Sequence, residues 1–246
     1  MYRYQVLIEY EGTNFRGWQI QKKGSTVQKL VQSNISKILK EKINLIGSGR
    51  TDTGVHALEQ SAHFDCKKKI INHVKFIKSA NFFLNNKLIS IINIKKKNLK
   101  FHARYSAKER IYEYTIINRL APPSIDKNKA WHIRKKLNLG MMKKGSKLLF
   151  GKHDFSTFRA ANCYSKSSIR TLKKIKIKKN NDKITIKFKS RSFLRNQVRS
   201  MVGCLKYLGE NKWSLKKFKK AFISKSRKAC APPAPPEGLY LVKVNY

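Results

Sequence analysis

Apolar and polar residues alternate at the start of the chain. Apolar side chains occupy every second position from Tyr2 to Tyr10, with mostly polar residues between them. This two-residue period is typical of a strand with one buried face. The same reasoning predicts a second strand over residues 58–64 and a buried strand over residues 89–94.

Apolar residues at helical spacing follow the first strand. Ser25-x-x-Gln28 matches a capping box, in which two side chains satisfy the first backbone N–H groups of a helix. Apolar residues then recur every three or four positions, which predicts an amphipathic helix ending near Lys40. A further helix is predicted from the mid-70s to Leu84.

The second half of the chain shows the same mixture. A strand is predicted over residues 110–117, with Tyr112, Tyr114 and Ile116 on one face, and a helix over residues 139–150. Ile175 and Ile177 are expected to pair with Ile184 and Ile186 across an Asn180-Asn181-Asp182 turn. Three more elements are predicted: a helix marked by residues from Phe193 to Leu205, a helix capped by Ser214, and a closing strand over residues 239–244.

These interspersed elements favour an α+β fold with two similar lobes, each with a mainly antiparallel sheet flanked by helices. We expect the lobes to comprise residues 1–104 and 105–246, to join near residues 100–107, and to enclose a basic cleft. The first lobe would carry the glycine-rich loop around Asp52, and the second would complete the cleft.

The charge of the chain points to a polyanionic partner. Its 56 Lys and Arg residues against 13 Asp and Glu give a formal net charge of +43, which favours nucleic-acid binding through phosphate contacts. A genome rich in Lys codons offers an alternative explanation for the same excess. Lys is a mobile point charge and Arg makes bidentate contacts, so the Arg residues are the better guide to specific sites.

The cysteines and histidines give no indication of a metal site. The four cysteines lie far apart, with no Cys-x-x-Cys pair, and the six histidines lack ligand spacing. We therefore expect reduced thiols in a cytoplasmic protein, without metal or disulfides. No signal peptide and no membrane-spanning run are expected.

Asp52 is the strongest candidate for chemistry. It stands in the run Gly47-Ser48-Gly49-Arg50-Thr51-Asp52-Thr53-Gly54, where the neighbouring Arg50 favours a charged carboxylate able to act as a nucleophile. Asp52-Thr53-Gly54 also matches an aspartic-protease triplet, but that chemistry needs a second carboxylate, and the chain has no second triplet. A turn aspartate that bonds its own backbone is the plainer alternative.

The run Gly49-Arg50-Thr51-Asp52-Thr53-Gly54-Val55-His56-Ala57 resembles the active-site signature of the tRNA pseudouridine synthase A family. Further segments match the same family in the same order, across almost the whole chain: Tyr10-Glu11-Gly12-Thr13-x-Phe15-x-Gly17-Trp18-Gln19, Phe101-His102-Ala103-Arg104-x-Ser106-Ala107 with Tyr112-x-Tyr114, Gly151-x-His153-Asp154-Phe155-x-x-Phe158, Phe193-Leu194-x-x-x-Val198-Arg199-x-x-Val202-Gly203, Ala231-Pro232-Pro233 and Gly238-Leu239-x-Leu241.

The resemblance implies an enzyme that isomerises uridine to pseudouridine at positions 38 to 40 of the tRNA anticodon stem-loop, without a cofactor and as a homodimer. Asp52 would be the nucleophile, and Arg199 its charged partner. Tyr112 would stack on the target base. Arg50 is a candidate for gripping the phosphate of the flipped nucleotide or for displacing the base from the stack.

Two other functions are alternatives: one belongs to a non-catalytic class of protein, and the other is the same reaction on a different RNA. A non-catalytic RNA-binding or chaperone protein would explain the charge but has no need of Asp52 together with Tyr112 and Arg199. A pseudouridine synthase acting on another RNA would need the trio as well, although the opening and closing motifs favour the tRNA type.

Overall fold

The computed structural model describes all residues, 1–246, and divides into two compact units. The first unit comprises Met1–Lys108 together with Tyr240–Tyr246, and the second comprises Glu109–Leu239. Residues 240–246, which the sequence places with the second lobe, instead pack with the first. The reason is a parallel pairing in which Tyr240 lies opposite His56 and Leu241 opposite Ala57.

The first unit is a sheet with two helices, and four of its strands lie in the order β4-β1-β3-β10, with β2 pairing with β3. The pairs that β1 makes with β3 and β4 are antiparallel, and α2 packs against β4 and α1. The elements are β1 (Tyr2–Tyr10), α1 (Val27–Leu39), β2 (Ile46–Gly47), β3 (His56–Cys66), α2 (His73–Leu84), β4 (Ile89–Lys97) and, from the end of the chain, β10 (Leu239–Asn245).

The predicted amphipathic helix is confirmed as α1, which buries Val27, Val31 and Ile35 completely. The capping box is wrong. Thr26 precedes the helix and its side chain makes no capping bond. The Gln28 side chain is used elsewhere, accepting from the Ile20 N–H at 3.0 Å and donating to the Leu45 carbonyl at 2.7 Å.

The second unit repeats the α+β arrangement, as predicted. Four of its strands lie in the order β5-β9-β8-β7, with β6 pairing with β5, and α3 packs against β8 and the two later helices. The elements are β5 (Glu109–Ile117), β6 (Trp131–His132), α3 (Leu139–Leu148), β7 (Gly151–Asp154), β8 (Ile169–Asn180), β9 (Lys183–Ser190), α4 (Gln197–Gly209) and α5 (Leu215–Ile223).

The predicted β8–β9 hairpin is confirmed, with a different register. Ile177 lies opposite Ile186, and Ile175 lies opposite Phe188. The turn contains Asn181 at a left-handed φ of 50°, a conformation that asparagine tolerates better than most residues.

Two helix starts in this unit test the sequence patterns. Ser214 caps α5 as predicted, because its side chain accepts from the Lys217 N–H. Phe193 and Leu194, which were predicted to be helical, precede α4 instead. Asn196 has a left-handed φ of 61°, which interrupts the helical conformation, so the helix begins only at Gln197.

None of the helices combines the length and apolar character needed to cross a membrane.

Candidate active site

The loop that carries Asp52 connects β2 to β3, and the buried side chain of Gln60 on β3 fixes its first residues. Gln60 accepts from the Ser48 hydroxyl at 2.7 Å and donates to the Gly49 carbonyl at 2.9 Å. The backbone N–H of Ser48 also donates to the carbonyl of Ser61 at 2.7 Å. The loop therefore leaves the sheet in one defined direction.

The opening segment of the chain holds the same loop from another side. The backbone N–H of Trp18 donates to the Thr51 carbonyl at 3.1 Å, and that of Gly54 donates to the Phe15 carbonyl at 3.4 Å. The Tyr10 hydroxyl hydrogen-bonds the Thr51 hydroxyl at 2.7 Å. Trp18 and Phe15 are buried.

Two glycines allow the opening segment to come this close. A Cβ atom on Gly12 would lie 2.0 Å from the Val55 carbonyl oxygen, and one on Gly17 would lie 2.5 Å from the Thr51 carbonyl oxygen. Gly17 also has a positive φ of 84°, which glycine adopts without steric cost. The Gly12 N–H donates to Nδ1 of His56 at 2.9 Å, so this histidine orients the loop.

Asp52 itself stands in a tight turn. Its carbonyl accepts from the Val55 N–H at 3.2 Å, and Gly54 supplies the positive φ of 76°. Asp52 is half-buried, whereas Arg50 and Thr53 are exposed. A carboxylate on a rigid turn with partial solvent access is suited to attack a substrate that enters from outside.

Tyr112 lies in the second unit, on β5. It faces Phe188 across the β5–β9 pair, and its ring meets Phe193 edge to face with 5.2 Å between ring centroids. Tyr112 is buried, with 8% of its surface exposed. Its ring is thus held by aromatic packing, as expected of a residue on an alternating strand.

Arg199 lies on α4 and is fixed through both its side chain and its backbone. Its Nε donates to the Ala234 carbonyl at 2.7 Å, and the Ala234 N–H donates to the Arg199 carbonyl at 2.9 Å. Its Nη1 reaches Oδ1 of Asn196 at 3.5 Å. These bonds fix the path of the guanidinium and leave further N–H groups for other partners.

The proline-rich segment 231–236 that receives Arg199 is anchored by Tyr114. The Tyr114 hydroxyl donates to the Pro235 carbonyl at 2.7 Å. Burial raises the pKa of Tyr114, and the positive charge of Arg199 opposes that rise. Sequence reasoning missed Tyr114 and Asn196 as supports. The prolines of this segment were the available signal. Because proline has no N–H group, the segment cannot form a regular backbone ladder, and its carbonyls need donors from elsewhere.

The structure places the four predicted site residues as two pairs. Asp52 and Arg50 lie in the first unit, and Tyr112 and Arg199 lie in the second.

No group of three or more His, Cys, Asp and Glu side chains is placed to hold a metal ion. His102, like His56, organises a loop, because its Nδ1 accepts from the Arg104 N–H at 3.1 Å.

Comparison with known proteins gives a consistent result. The family model described as tRNA pseudouridine synthase matches residues 6–106 and 146–246. The chain is 64% identical to tRNA pseudouridine synthase A of Pelagibacter ubique over 246 residues, covering all of both proteins. It is 40% identical to the enzyme of the same name from Parvibaculum lavamentivorans, again covering all of both. It is also 40% identical to that of Neorickettsia sennetsu, covering 99% of this chain and all of the relative. The chain therefore belongs to the tRNA pseudouridine synthase family, an isomerase family that converts uridine to pseudouridine in tRNA.

Proposed function

We propose that this protein isomerises uridine at positions 38 to 40 of the tRNA anticodon stem-loop, with Asp52 as the nucleophile and without a cofactor. The observation that carries the proposal is the Asp52 turn. Gln60 and the opening segment hold the loop through five hydrogen bonds, three of them to its backbone, while Asp52 itself keeps solvent access. Such rigidity is unnecessary for a surface turn and is what a positioned nucleophile requires.

The reaction requires the target base to leave the helical stack before a side chain can reach it. Asp52 then attacks the nucleoside and the glycosidic C–N bond breaks. The base turns and rejoins the ribose through C5, the bond to Asp52 breaks and frees the carboxylate, and C5 loses its proton while N1 gains one. No redox change or external group is needed, so the reaction balances without a cofactor.

The other three residues have supporting roles in this proposal. Arg199, already fixed by Ala234, serves as the positively charged partner of the Asp52 carboxylate. Tyr112, held against Phe193, offers its ring to the flipped base. The exposed Arg50 contacts the phosphate beside the flipped nucleotide.

Tritium release from tRNA carrying [5-³H]uridine tests the chemistry directly, because pseudouridine formation must expel the hydrogen at C5. We expect release by the native protein and none by Asp52→Ala. Asp126→Ala, a matched loss of one carboxylate from the loop after β5 in the second unit, should release tritium at the native rate.

Binding by the same variants separates catalysis from folding. Asp52→Ala should bind tRNA within a few-fold of the native affinity, since phosphate contacts supply most of the binding energy. A large loss of binding would mean that Asp52 is structural. A folded native protein that binds tRNA without releasing tritium would instead be an RNA-binding protein.

The position of the modified base needs a separate test. Three tRNA substrates, each with uridine at only one of positions 38, 39 and 40, should all release tritium. A substrate without uridine at any of these three positions should release none. Release from the last substrate would move the site of action elsewhere.

We also propose that the enzyme acts as a homodimer. Sedimentation of the protein alone should give twice the mass of one chain. A monomer at assay concentrations would contradict this part of the proposal.

A further inference from the structure

Two cysteines that are distant in sequence lie side by side in the second unit. Sγ of Cys204 on α4 is 3.5 Å from Sγ of Cys230, which directly precedes the proline-rich segment. Both are thiols in this structure. A disulfide requires about 2.05 Å between the sulfurs. The two atoms would therefore have to approach by about 1.5 Å.

The two thiols have different surroundings. Cys204 is buried, with 1% of its surface exposed, whereas Cys230 is half-exposed. The two thiols are hydrogen-bonded, and either sulfur can be the donor. This bond, together with the nearby Arg227 guanidinium, lowers the pKa of Cys230. The same bond and burial raise the pKa of Cys204. Cys230 is therefore the accessible, more nucleophilic member of the pair.

The Arg227 guanidinium, whose positive charge favours the Cys230 thiolate, is held in place by a hydrogen bond. Its Nη1 donates to the Ser200 hydroxyl at 2.8 Å, which fixes the guanidinium on the α4 side of Cys230. A fixed cation beside a half-exposed sulfur, with a second sulfur in contact, is the arrangement found where thiols react with oxidants.

We propose that Cys204 and Cys230 form an oxidisable thiol pair, which a peroxide converts into a reversible disulfide within one chain. The Cys230 thiolate attacks a peroxide oxygen, the O–O bond breaks, and a sulfenic acid and hydroxide result. Cys204 then attacks the Cys230 sulfur, forming the S–S bond and expelling water that carries the Cys204 proton. Two thiols lose two electrons in all, and the peroxide is reduced to water.

The disulfide would join α4 to the segment that binds Arg199. These two elements are already in close contact, because a Cβ on Gly203 would lie 2.0 Å from the Pro232 carbonyl oxygen. The Ala231 N–H also approaches Sγ of Cys204 at 3.4 Å. The crosslink therefore forms between surfaces that are already packed, and it needs no separation of the elements.

The other two cysteines provide internal controls. Burial raises the pKa of Cys66 to about 11, so it should react slowly. The pKa of Cys163 is lowered despite its burial, by hydrogen bonds from the backbone of Arg195 and Ser165. Cys163 should therefore react with peroxide, but as a single thiol.

Peptide mapping of the full-length protein tests the pair. After treatment with hydrogen peroxide, blocking of free thiols, unfolding and trypsin digestion, we expect the peptide of residues 200–206 joined to that of residues 229–243. The joined mass should be the sum of the two less two hydrogen atoms, and dithiothreitol should abolish it. The protein should remain a single chain on a non-reducing denaturing gel.

Substitutions identify the partners. Cys204→Ala should abolish the joined peptide and leave Cys230 as a sulfenic acid that dimedone traps, and Cys163→Ser should leave the joined peptide intact. Cys230→Ser, at the half-exposed position, should also abolish the joined peptide and covers the case in which Cys204→Ala fails to fold. The proposal is overturned if peroxide modifies Cys230 in the native chain without joining it to Cys204, or if Cys163 or Cys66 becomes the partner.

Discussion

At the scale of single residues, the hydrogen that serves as the side chain of Gly12 decides how closely the opening segment approaches the Asp52 turn. Gly12→Ala would place a Cβ atom 2.0 Å from the backbone oxygen of Val55. Overpacking of this kind costs about 1–3 kcal/mol of stability. We expect that loss in urea unfolding, and a lower rate of tritium release, because the turn must shift.

Gly140→Ala is the control for this change. Gly140 lies in the exposed first turn of α3, where a Cβ would meet only Oδ1 of Asn138, at 3.2 Å. Alanine is favoured over glycine in a helix by up to about 1 kcal/mol. Asn138 Oδ1 also accepts from the Met141 N–H as the cap of α3, so slight crowding there offsets this gain. The stability of Gly140→Ala should therefore stay close to that of the native protein. A Gly12→Ala protein as stable as this control would contradict the close packing.

His63 on β3 makes stability depend on pH. Burial, then the charges of Arg3 and His102, lower its pKa to about 4, while in the unfolded chain it titrates near its ordinary value of about 6.5. Between these values the unfolded state binds a proton that the folded state does not. The free energy of unfolding should therefore fall as pH drops from about 6.5 to about 4.

Denaturant unfolding at about pH 7 and about pH 4.5 checks this prediction. The native protein should lose more stability between the two values than His63→Gln, whose amide oxygen can still accept from the Ala103 N–H as Nδ1 of His63 does at 3.1 Å. Equal losses would show that His63 is not the responsible group.

The sequence alone made Asp52 a candidate for chemistry, but it did not predict the contacts that hold its turn. Asp52, Arg50 and the glycines form one short run, so the motif could be recognised from neighbouring letters. The contacts that fix the turn come from Gln60 and from the opening segment. Such contacts depend on the fold of the whole unit. Gln28 is a second example. Its local pattern predicted a helix cap, but its side chain donates a hydrogen bond to the Leu45 carbonyl.

At the scale of elements, the Tyr114 hydroxyl makes one of the hydrogen bonds that hold the proline-rich segment. Tyr114→Phe removes the 2.7 Å bond to the half-buried Pro235 carbonyl, at a cost of about 0.5–1.5 kcal/mol. Because the adjoining Ala234 carbonyl holds Arg199, we expect kcat to fall while KM for tRNA changes little. Tyr164→Phe, at an exposed tyrosine, should alter neither stability nor kcat. An unchanged kcat in Tyr114→Phe would separate this segment from the chemistry.

Elements with strong local signals were predictable. The Ser214 cap and the turn at Asn181 rest on interactions within a few residues, and both occur in the structure. The start of α4 was misplaced because the apolar residues Phe193 and Leu194 continue the helical spacing, although the left-handed Asn196 separates them from the helix. The location of β10 had no local signal, since its partner β3 lies far away in sequence.

At the scale of the whole molecule, the net charge of +43 should govern tRNA binding. Each phosphate contact releases condensed counterions, so log K should fall linearly with log salt concentration. We expect affinity to drop by orders of magnitude between about 50 and about 200 mM salt, in a filter-binding titration. A flat dependence would contradict binding through phosphates.

The place of β10 in the first unit sets an order on synthesis. A ribosome makes all of residues 109–239 before it makes Tyr240–Tyr246. Until then β3 lacks its neighbour at His56 and Ala57, immediately after the Asp52 turn. During that interval this short stretch of β3 is an open strand edge, the kind of edge that can pair with another chain. The first unit, whose residues 1–108 are synthesised before the second unit, is thus completed only after the second unit has been made.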